Sequence, residues 1–339
     1  MTTRLVALVA LCLCGIAALS AAQEPSEATR PSFSEWLAGV RADALERGIR
    51  PEIVDAALAT VEEPEPTVIE RDRAQAETVL PLERYISRQL KPKVIRTAQE
   101  MYTRHRKVLD EVGQRYGVSP RIIVGIWGLE SNFGKFSGVR PTIGALATLA
   151  WDPRRSAFFR GELLDAMEIL DRGDIDVSRM RGSWAGAMGQ PQFMPSSYLK
   201  WAQDFDEDGR TDIWSSPADV FASIANYLKA HGWKAGQTWG REVKTLRVVE
   251  KTIANDVERR SGSCVARRDM TVALPMARWQ KLGVRLKNGG ALPTTDLTAS
   301  LVAGSSRSFL VYDNYDALLE YNCAHSYAIS VALLADRIR

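Results

Sequence analysis

Hydrophobic residues recur every three or four positions along most of this chain, which is the spacing of amphipathic helices. The pattern runs through residues 33–59, where Pro51 suits the start of a second helix, and again through residues 81–117. A break rich in proline and glutamate separates these regions at residues 61–66. Later stretches with the same spacing predict further helices near residues 142–150, 155–171, 196–203 and 217–231.

The pattern changes after residue 240. Three stretches there favour strands, at residues 242–249, 269–274 and 310–312. Glycines separate them, at Gly283, Gly289, Gly290 and Gly304. Helical spacing returns over residues 322–338. The predicted fold class is therefore mainly α (α+β), with a small β-rich insertion near the end of the chain.

One predicted helix carries an acidic residue on its apolar side. Ser119 suits its N-cap, and Gly134 lies where a left-handed C-terminal cap would fall. Ile122, Ile126 and Glu130 are four residues apart, so they share one face. Burial disfavours the charged form of a carboxylate, and the raised pKa suits a general acid near neutral pH. The alternative is a buried glutamate that pairs with an arginine or caps a neighbouring element.

Composition limits the possible functions. The chain has 339 residues, 45% of them hydrophobic, which is enough for one large domain or two to three smaller ones. Its 44 basic and 41 acidic residues give a net charge of +3, and it has no basic block, so we expect no nucleic-acid partner. His105, His231 and His325 lack the spacing of a zinc site. No strand-turn-helix nucleophile elbow is evident, which argues against a Ser-His-Asp hydrolase.

The first 22 residues have the pattern of a cleaved signal peptide. Arg4 precedes an apolar run over residues 5–19, and Ser20 and Ala22 suit cleavage after Ala22. An uncleaved anchor is the alternative, but the run is short for a membrane span. We therefore expect a periplasmic protein without a transmembrane anchor after cleavage.

Cleavage would leave two cysteines, Cys264 and Cys323. In an oxidising compartment such a pair commonly forms a disulfide. Two unlinked buried thiols remain the alternative.

The segment over residues 182–198 combines backbone that a ligand can approach closely with hydrogen-bonding and flat apolar side chains. Its first half is rich in glycine and alanine. Its polar and aromatic members are Ser183, Trp184, Gln190, Gln192, Phe193 and Tyr198. A sugar ring presents hydroxyl groups at its edge and C–H groups on its face, so this combination favours a glycan ligand.

Together with Glu130, this segment resembles the lytic transglycosylase B family of peptidoglycan-cleaving enzymes, glycoside hydrolase family 103. The family pattern is an apolar helix that ends in the acid, followed by Gly-Ala-Met-Gly and then Gln-Phe-Met-Pro-Ser-Ser-Tyr. A third block, Tyr321-Asn322 followed by Tyr327-Ala328, agrees with it, and the resemblance covers roughly residues 33–339. It implies a lysozyme-like helical core.

Pattern and resemblance together predict five regions. They are a signal peptide over residues 1–22, an N-terminal helical region over 23–115, a lysozyme-like catalytic core over 116–238, a small β-rich insertion over 239–312, and a C-terminal helix over 313–339 that returns to the core. We expect a monomer that acts on peptidoglycan glycan strands.

The core contains an EF-hand-like loop over residues 204–219. Aspartates at the first, third and fifth positions and glycine at the sixth suit Ca²⁺, but position twelve is Ser215 instead of the bidentate glutamate. The resemblance implies that Asp219 closes the loop. The candidate metal residues are Asp204, Asp206, Asp208, Arg210, Asp212 and Asp219. A solvated acidic turn is the alternative; any Ca²⁺ here would be structural, and we expect no cofactor for the chemistry.

Only one catalytic carboxylate is evident, since Glu162 and Asp152 have structural positions in their predicted helices. One is sufficient if the substrate's N-acetyl group assists. The resemblance implies that Glu130 protonates the oxygen between N-acetylmuramic acid and N-acetylglucosamine. It would then accept the proton of the C6 hydroxyl, which attacks C1 and gives a 1,6-anhydro sugar.

The resemblance also assigns substrate-binding roles. Ser183 and Asn322 would hold the N-acetyl group or orient Glu130, and Phe193 would stack on a sugar. The remaining candidates line the cleavage site, namely Gln192, Tyr327 and Tyr85. For each aromatic residue the alternative is packing in the core. Two other functions remain open: a lysozyme-type peptidoglycan hydrolase and a non-catalytic, calcium-stabilised wall-binding protein.

Overall fold

The computed structural model describes residues 31–74 and 80–339, so the predicted signal peptide lies outside the described residues. Eleven helices come before the β-rich insertion in this described part of the chain. They are α1 (Phe33–Glu46), α2 (Pro51–Leu58), α3 (Pro66–Ala74), α4 (Leu82–Gln89), α5 (Pro92–Arg104), α6 (Arg106–Tyr116), α7 (Pro120–Ser131), α8 (Thr142–Trp151), α9 (Ser156–Arg172), α10 (Pro195–Trp201) and α11 (Pro217–Ala230).

The insertion and the end of the chain complete the fold. In order they contain β3 (Gly240–Lys244), α12 (Arg247–Asp256), α13 (Val265–Asp269), β4 (Leu274–Pro275), α14 (Met276–Lys281), β5 (Arg285–Leu286), β6 (Thr298–Ala303), β7 (Ser308–Val311), α15 (Asp313–Tyr321) and α16 (His325–Ala335). Among the earlier helices, the two short strands β1 (Arg140–Pro141) and β2 (Arg181–Gly182) pair as an antiparallel ribbon. The mainly α (α+β) class predicted from the sequence is confirmed.

Local sequence explains where several helices begin. The first has a capping box, because the Ser32 hydroxyl accepts from the Glu35 backbone N–H while the Glu35 carboxylate accepts from the Ser32 N–H at 2.8 Å. Proline occupies the first turn of α2, α5, α7, α10 and α11, where its missing N–H costs nothing.

The insertion is a five-stranded antiparallel sheet in the order β4-β6-β7-β3-β5. Its central strand β7 pairs Leu310 with Arg241 of β3 on one side and with Leu301 of β6 on the other. Trp279 is fully buried beneath the sheet and donates its indole N–H to the Ala299 carbonyl at 2.8 Å. The insertion therefore has a hydrophobic core of its own.

Two of the predicted strands are wrong in extent. The strand expected over residues 242–249 ends at Lys244, and the chain continues as α12, which buries Ile253 in the insertion's core. Of the strand expected over residues 269–274, only Leu274 lies in a strand, the two-residue β4, and Asp269 ends α13. Packing against the sheet, which a local β preference cannot show, decides both segments.

The helical part has two hydrophobic cores, and the candidate site lies at their junction. One surrounds α7, α11, α15 and α16, and the other surrounds α1, α2, α8 and α9. Tyr321 packs against both cores. Within the described ranges, no helix combines the length and apolar character needed to cross a membrane.

Candidate active site

Glu130 lies in the last turn of α7. The apolar face predicted for this helix is buried, including Ile122, Ile126 and Trp127. Glu130 is partly exposed at a cleft of about 300 Å³. The other residues that line this cleft are Gln89, Val94, Gly128, Leu129, Ser131, Asn132 and Phe136. Among these lining residues Glu130 is the only carboxylate.

The end of α7 holds Glu130 in place. The helix ends at Ser131, and the left-handed cap is Asn132 with φ +50°, two residues before the predicted Gly134. The chain turns sharply enough for Phe133 to fold back over Gly128, where an added Cβ would lie 2.5 Å from its ring. The Ser131 hydroxyl donates to the Trp127 carbonyl at 2.9 Å and closes the turn.

The surroundings of Glu130 favour its protonated form. Burial raises the pKa of its carboxyl group to about 7, while the nearby Tyr327 hydroxyl lowers it. Water reaches part of the side chain from the cleft, but protein atoms around the carboxyl group exclude most of its hydration shell. A carboxyl group that keeps its proton near neutral pH can act as a general acid.

Three tyrosines face Glu130, and we call them the tyrosine wall. Tyr85 lies on α4, Tyr321 ends α15, and Tyr327 lies in the first turn of α16. Burial and the negative charge of Glu130 raise the pKa of all three, so they are neutral near pH 7. The Tyr321 and Tyr327 rings are stacked with centroids 6.4 Å apart.

Two hydroxyl groups of the wall differ in their bonding. Tyr321 donates to the Pro191 carbonyl at 2.8 Å. The Tyr327 hydroxyl is buried and meets no partner in normal hydrogen-bond geometry within the described residues, although it is close enough to lower the Glu130 pKa. The Tyr327 hydroxyl is therefore a buried polar group beside the Glu130 carboxyl group.

The glycine-rich segment forms a tight loop beside this wall. The Ser183 hydroxyl accepts from the backbone N–H groups of Ala185 and Ala187, both at 3.2 Å, so its proton remains available to a ligand. Gln192 has φ +54° and donates its amide to the Gly189 carbonyl at 2.8 Å. A non-glycine residue in this conformation is often found at a functional site.

Phe193, for which the resemblance implies stacking on a sugar, is buried in this structure. Its ring is 3% exposed and packs against Tyr227 and Tyr321, with centroids 5.5 and 5.9 Å apart. Phe193 therefore belongs to the core beneath the tyrosine wall. Asn322, which directly follows Tyr321, is exposed, so its amide is accessible to a ligand.

Gln190 connects α7 to the loop segment, a role that the sequence did not indicate. Its carbonyl oxygen accepts from the Trp127 indole at 2.7 Å, and its amide donates to the Trp214 carbonyl at 2.8 Å. The only sign of this role in the sequence was that Gln190 is a polar residue next to a run rich in glycine and alanine.

Two other acidic residues have structural partners. The Glu162 carboxylate accepts from the backbone N–H and the hydroxyl of Ser196, at 2.9 and 2.7 Å, at the start of α10. Asp152 forms an ion pair with Arg154 at 3.2 Å. Neither lines the cleft of Glu130.

The acidic loop brings three of its predicted metal residues together. Oxygen atoms of Asp204, Asp206 and Asp219 lie within 4.8 Å of one another. Asp219 is fully buried, and burial together with the two other carboxylates raises its pKa to about 6. Such a group of hard oxygen donors fits Ca²⁺, whose charge would offset the repulsion.

The remaining predicted metal residues lie outside this group. The Asp208 carboxylate accepts from the Arg210 backbone N–H at 2.9 Å. Asp212 accepts from the backbone N–H groups of Trp214 and Ser215, both at 2.8 Å. These bonds shape the loop.

Cys264 and Cys323 are joined by a disulfide, with Cα atoms 5.7 Å apart. It connects the start of α13 to the turn that follows Tyr321.

A larger cavity, of about 570 Å³, lies at the opposite end of α7. Asp336 is its one carboxylate, and Trp239 donates to both of its oxygens at 3.3 Å. Because Glu130, whose carboxyl group has a raised pKa, lines the smaller cleft, we take that cleft as the candidate active site despite the difference in volume.

Comparison with known proteins agrees with this geometry. Over 154 residues, or 45% of this chain, the sequence is 41% identical to Membrane-bound lytic murein transglycosylase B of Escherichia coli K12, and the match spans 42% of that protein. SltB3 of Pseudomonas aeruginosa, in complexes with NAG-anhNAM-pentapeptide and NAG-NAM-pentapeptide, is 42% identical with TM-scores of 0.81 and 0.82; each match covers 90% of this chain and 79% of that one.

A more distant structure is that of the E. coli lytic transglycosylase Slt35 in complex with calcium. It is 26% identical with a TM-score of 0.73, and the match covers 92% of this chain and 93% of that one. Residues 32–336 match the family described as the Transglycosylase SLT domain. The chain belongs to this transglycosylase SLT domain family.

Proposed function

We propose that this chain is a lytic transglycosylase that cleaves the β-1,4 bond between N-acetylmuramic acid and N-acetylglucosamine and forms 1,6-anhydro-N-acetylmuramic acid. The proposal depends on one observation: Glu130 is the single carboxylate that lines its cleft, and its pKa is raised to about 7. The complexes of SltB3 with NAG-anhNAM-pentapeptide and NAG-NAM-pentapeptide support peptidoglycan as the substrate.

The first step needs a proton donor at the glycosidic oxygen. Protonated Glu130 donates its proton to that oxygen, and the bond from C1 to the departing N-acetylglucosamine breaks. Positive charge develops at C1 of the muramic acid, where the substrate's own N-acetyl group stabilises it. We assign the binding of that group to Ser183, whose hydroxyl retains its proton to donate, and to the exposed Asn322.

The second step needs a base at the same place. Glu130 is now a carboxylate and accepts the proton of the C6 hydroxyl, whose oxygen bonds to C1 and closes the anhydro ring. Glu130 thereby returns to its starting form, and no water is consumed. We assign to the neutral tyrosine wall the exclusion of water around the Glu130 carboxyl group, while the side-chain carbonyl oxygen of Gln192 offers a hydrogen bond to the sugars.

The test is digestion of purified sacculi with mass spectrometry of the released sugar termini. The parent protein should give anhydro termini, and Glu130→Gln should reduce release by about 10²–10⁴-fold, the usual contribution of general acid–base catalysis. Glu162→Gln is the matched control, because that carboxylate binds the start of α10 and does not line the cleft. Hydrated termini would instead indicate a lysozyme-type hydrolase. Binding without release would indicate a non-catalytic wall-binding protein.

We also propose that Asp204, Asp206 and Asp219 hold a structural Ca²⁺, supported by their mutual distances and by the Slt35 complex with calcium. Bound Ca²⁺ at a hundredfold its Kd should stabilise the fold by about 3 kcal/mol. Thermal unfolding with added Ca²⁺ or chelator measures this. Asp219→Asn should lose the response. The control Asp296→Asn, at an exposed aspartate before β6, should keep it. An equal response in both variants would contradict the site.

We further propose that residues 1–22 direct export to the periplasm and are then removed, on the basis of their charge and hydrophobic pattern. Mass spectrometry of the protein from the periplasm should find Gln23 as the first residue. Retention of Met1 would contradict the proposal.

A further inference from the structure

The β-rich insertion contacts the elements that carry the tyrosine wall at two separate places. One contact reaches α4, which carries Tyr85. The other reaches α15 and the turn between Tyr321 and Tyr327. Neither contact touches Glu130.

The first contact is made by the loop between β6 and β7. Glu83 of α4 accepts hydrogen bonds from the Ser305 hydroxyl at 2.8 Å, from the Ser306 N–H at 2.8 Å and from the Arg307 N–H at 3.3 Å. These donors hold the pKa of the Glu83 carboxyl at about 2 against the opposing effect of burial. A Cβ added to Gly304 would lie 2.5 Å from a Glu83 oxygen, so the loop fits closely around this side chain.

Glu83 is well placed to act on the cleft. It lies two residues before Tyr85 in the same short helix, and Gln89, at the end of that helix, lines the cleft of Glu130. A fixed Glu83 therefore fixes the position of α4 beside the cleft.

The second contact is made by α13. The Cys264–Cys323 disulfide joins its start to the turn after Tyr321. Arg267 in the same helix forms ion pairs with Asp316 at 3.2 Å and with Glu320 at 2.7 Å, both on α15. Asp316 and Glu320 precede Tyr321 in the sequence, and Cys323 follows it. Helix α13 therefore fixes both the end of α15 and the beginning of α16.

We infer that the insertion is a positioning element, which holds the tyrosine wall against Glu130 from both ends through Glu83 and through the Cys264–Cys323 bridge. The inference rests on the proposed function for its catalytic consequence. The groups facing Glu130 from α4, α15 and α16 are neutral tyrosines, so their position sets how much water reaches the carboxyl group. Releasing either contact lets water in and lowers the Glu130 pKa.

The test measures that pKa directly in the full-length protein without substrate. Carbon-13 NMR of labelled glutamate gives the titration of Glu130, assigned by the signal that is missing in Glu130→Gln. Glu83→Ala and the double variant Cys264→Ser/Cys323→Ser should each lower the pKa by about one pH unit, as partial hydration of a buried carboxyl group does. Glu83→Gln keeps an acceptor oxygen and should restore most of the parent value.

The matched control is Asp171→Asn. Asp171 also accepts from a backbone N–H and a guanidinium group, both of Arg50, at 3.2 and 2.7 Å, but it joins α2 to α9 away from the cleft. This variant should keep the parent pKa. If Glu83→Ala does not fold, reduction of the disulfide in the parent protein supplies the same comparison.

An unchanged Glu130 pKa in folded Glu83→Ala and in the cysteine variant would overturn the inference, as would an equal change in Asp171→Asn. The pH profile of kcat/KM gives the catalytic consequence, because its alkaline limb should move to lower pH with the Glu130 pKa. A parent protein that releases no anhydro sugar would refute the proposed function. The positioning role could still be tested in that case, because the NMR titration of Glu130 needs no turnover.

Discussion

Replacing Glu130 by glutamine should change how stability depends on pH. In the folded chain the pKa of Glu130 is raised to about 7 from its ordinary value of 4.5. Below about pH 4 the carboxyl group is protonated in both the folded and the unfolded states. As the pH rises through the window between these two values, the unfolded chain loses the proton and the folded chain keeps it, so the folded state loses relative stability.

The magnitude follows from the width of that window. At about 1.36 kcal/mol per pH unit, the parent protein should lose about 3 kcal/mol relative to Glu130→Gln between pH 4 and pH 8. Partial exposure to water at the cleft makes this an upper value. Above pH 7 the free energy of unfolding of the glutamine variant should therefore have risen by about this amount relative to that of the parent.

Urea unfolding at a series of pH values measures the difference in free energy of unfolding between the parent and Glu130→Gln. Glu62→Gln, a change at an exposed glutamate, controls for the loss of one surface-type carboxylate. A parent-minus-variant difference that stays constant from pH 4 to pH 8 would refute the raised pKa and with it the general-acid argument.

Three further substitutions test the assignments around the cleft. Phe193→Ala should lower the free energy of unfolding by about 3–5 kcal/mol, as loss of a buried aromatic ring does, in urea unfolding; a stable variant with weaker glycan binding would restore the stacking role. Glu162→Gln should cost about 1–3 kcal/mol in the same measurement while the folded protein keeps its release rate. Gln190→Ala leaves the Trp127 indole without its acceptor and should also cost about 1–3 kcal/mol, with a change in Trp fluorescence; an unchanged spectrum would argue against that bond.

Periodicity was sufficient to predict most of the helices. The stripe that contains Ile122 and Ile126 is buried as expected, and Glu130 lies at its exposed end. The insertion was harder, since α12 and the short β4 depend on how their side chains pack against a sheet assembled from distant strands.

The site shows the same division between local and tertiary information. Ser183, Gln192 and Tyr327 were candidates because short motifs carry them, and Tyr327 lies close enough to Glu130 to affect its pKa. Burial of Phe193 depends on Tyr227 and Tyr321, which lie far away in the sequence. In the acidic loop, Asp208 and Asp212 match the motif as well as Asp204 does, yet the carboxylates that lie within 4.8 Å of one another are those of Asp204, Asp206 and Asp219.

The central claim is that Glu130 directs the C6 hydroxyl, and not water, onto C1. The most direct test is to digest sacculi in water labelled with oxygen-18 and to analyse the new muramic acid termini by mass spectrometry. We predict anhydro termini without the label, and loss of these termini in Glu130→Gln. Labelled, hydrated termini from the parent protein, or unlabelled anhydro termini formed at the parent rate by Glu130→Gln, would contradict the account.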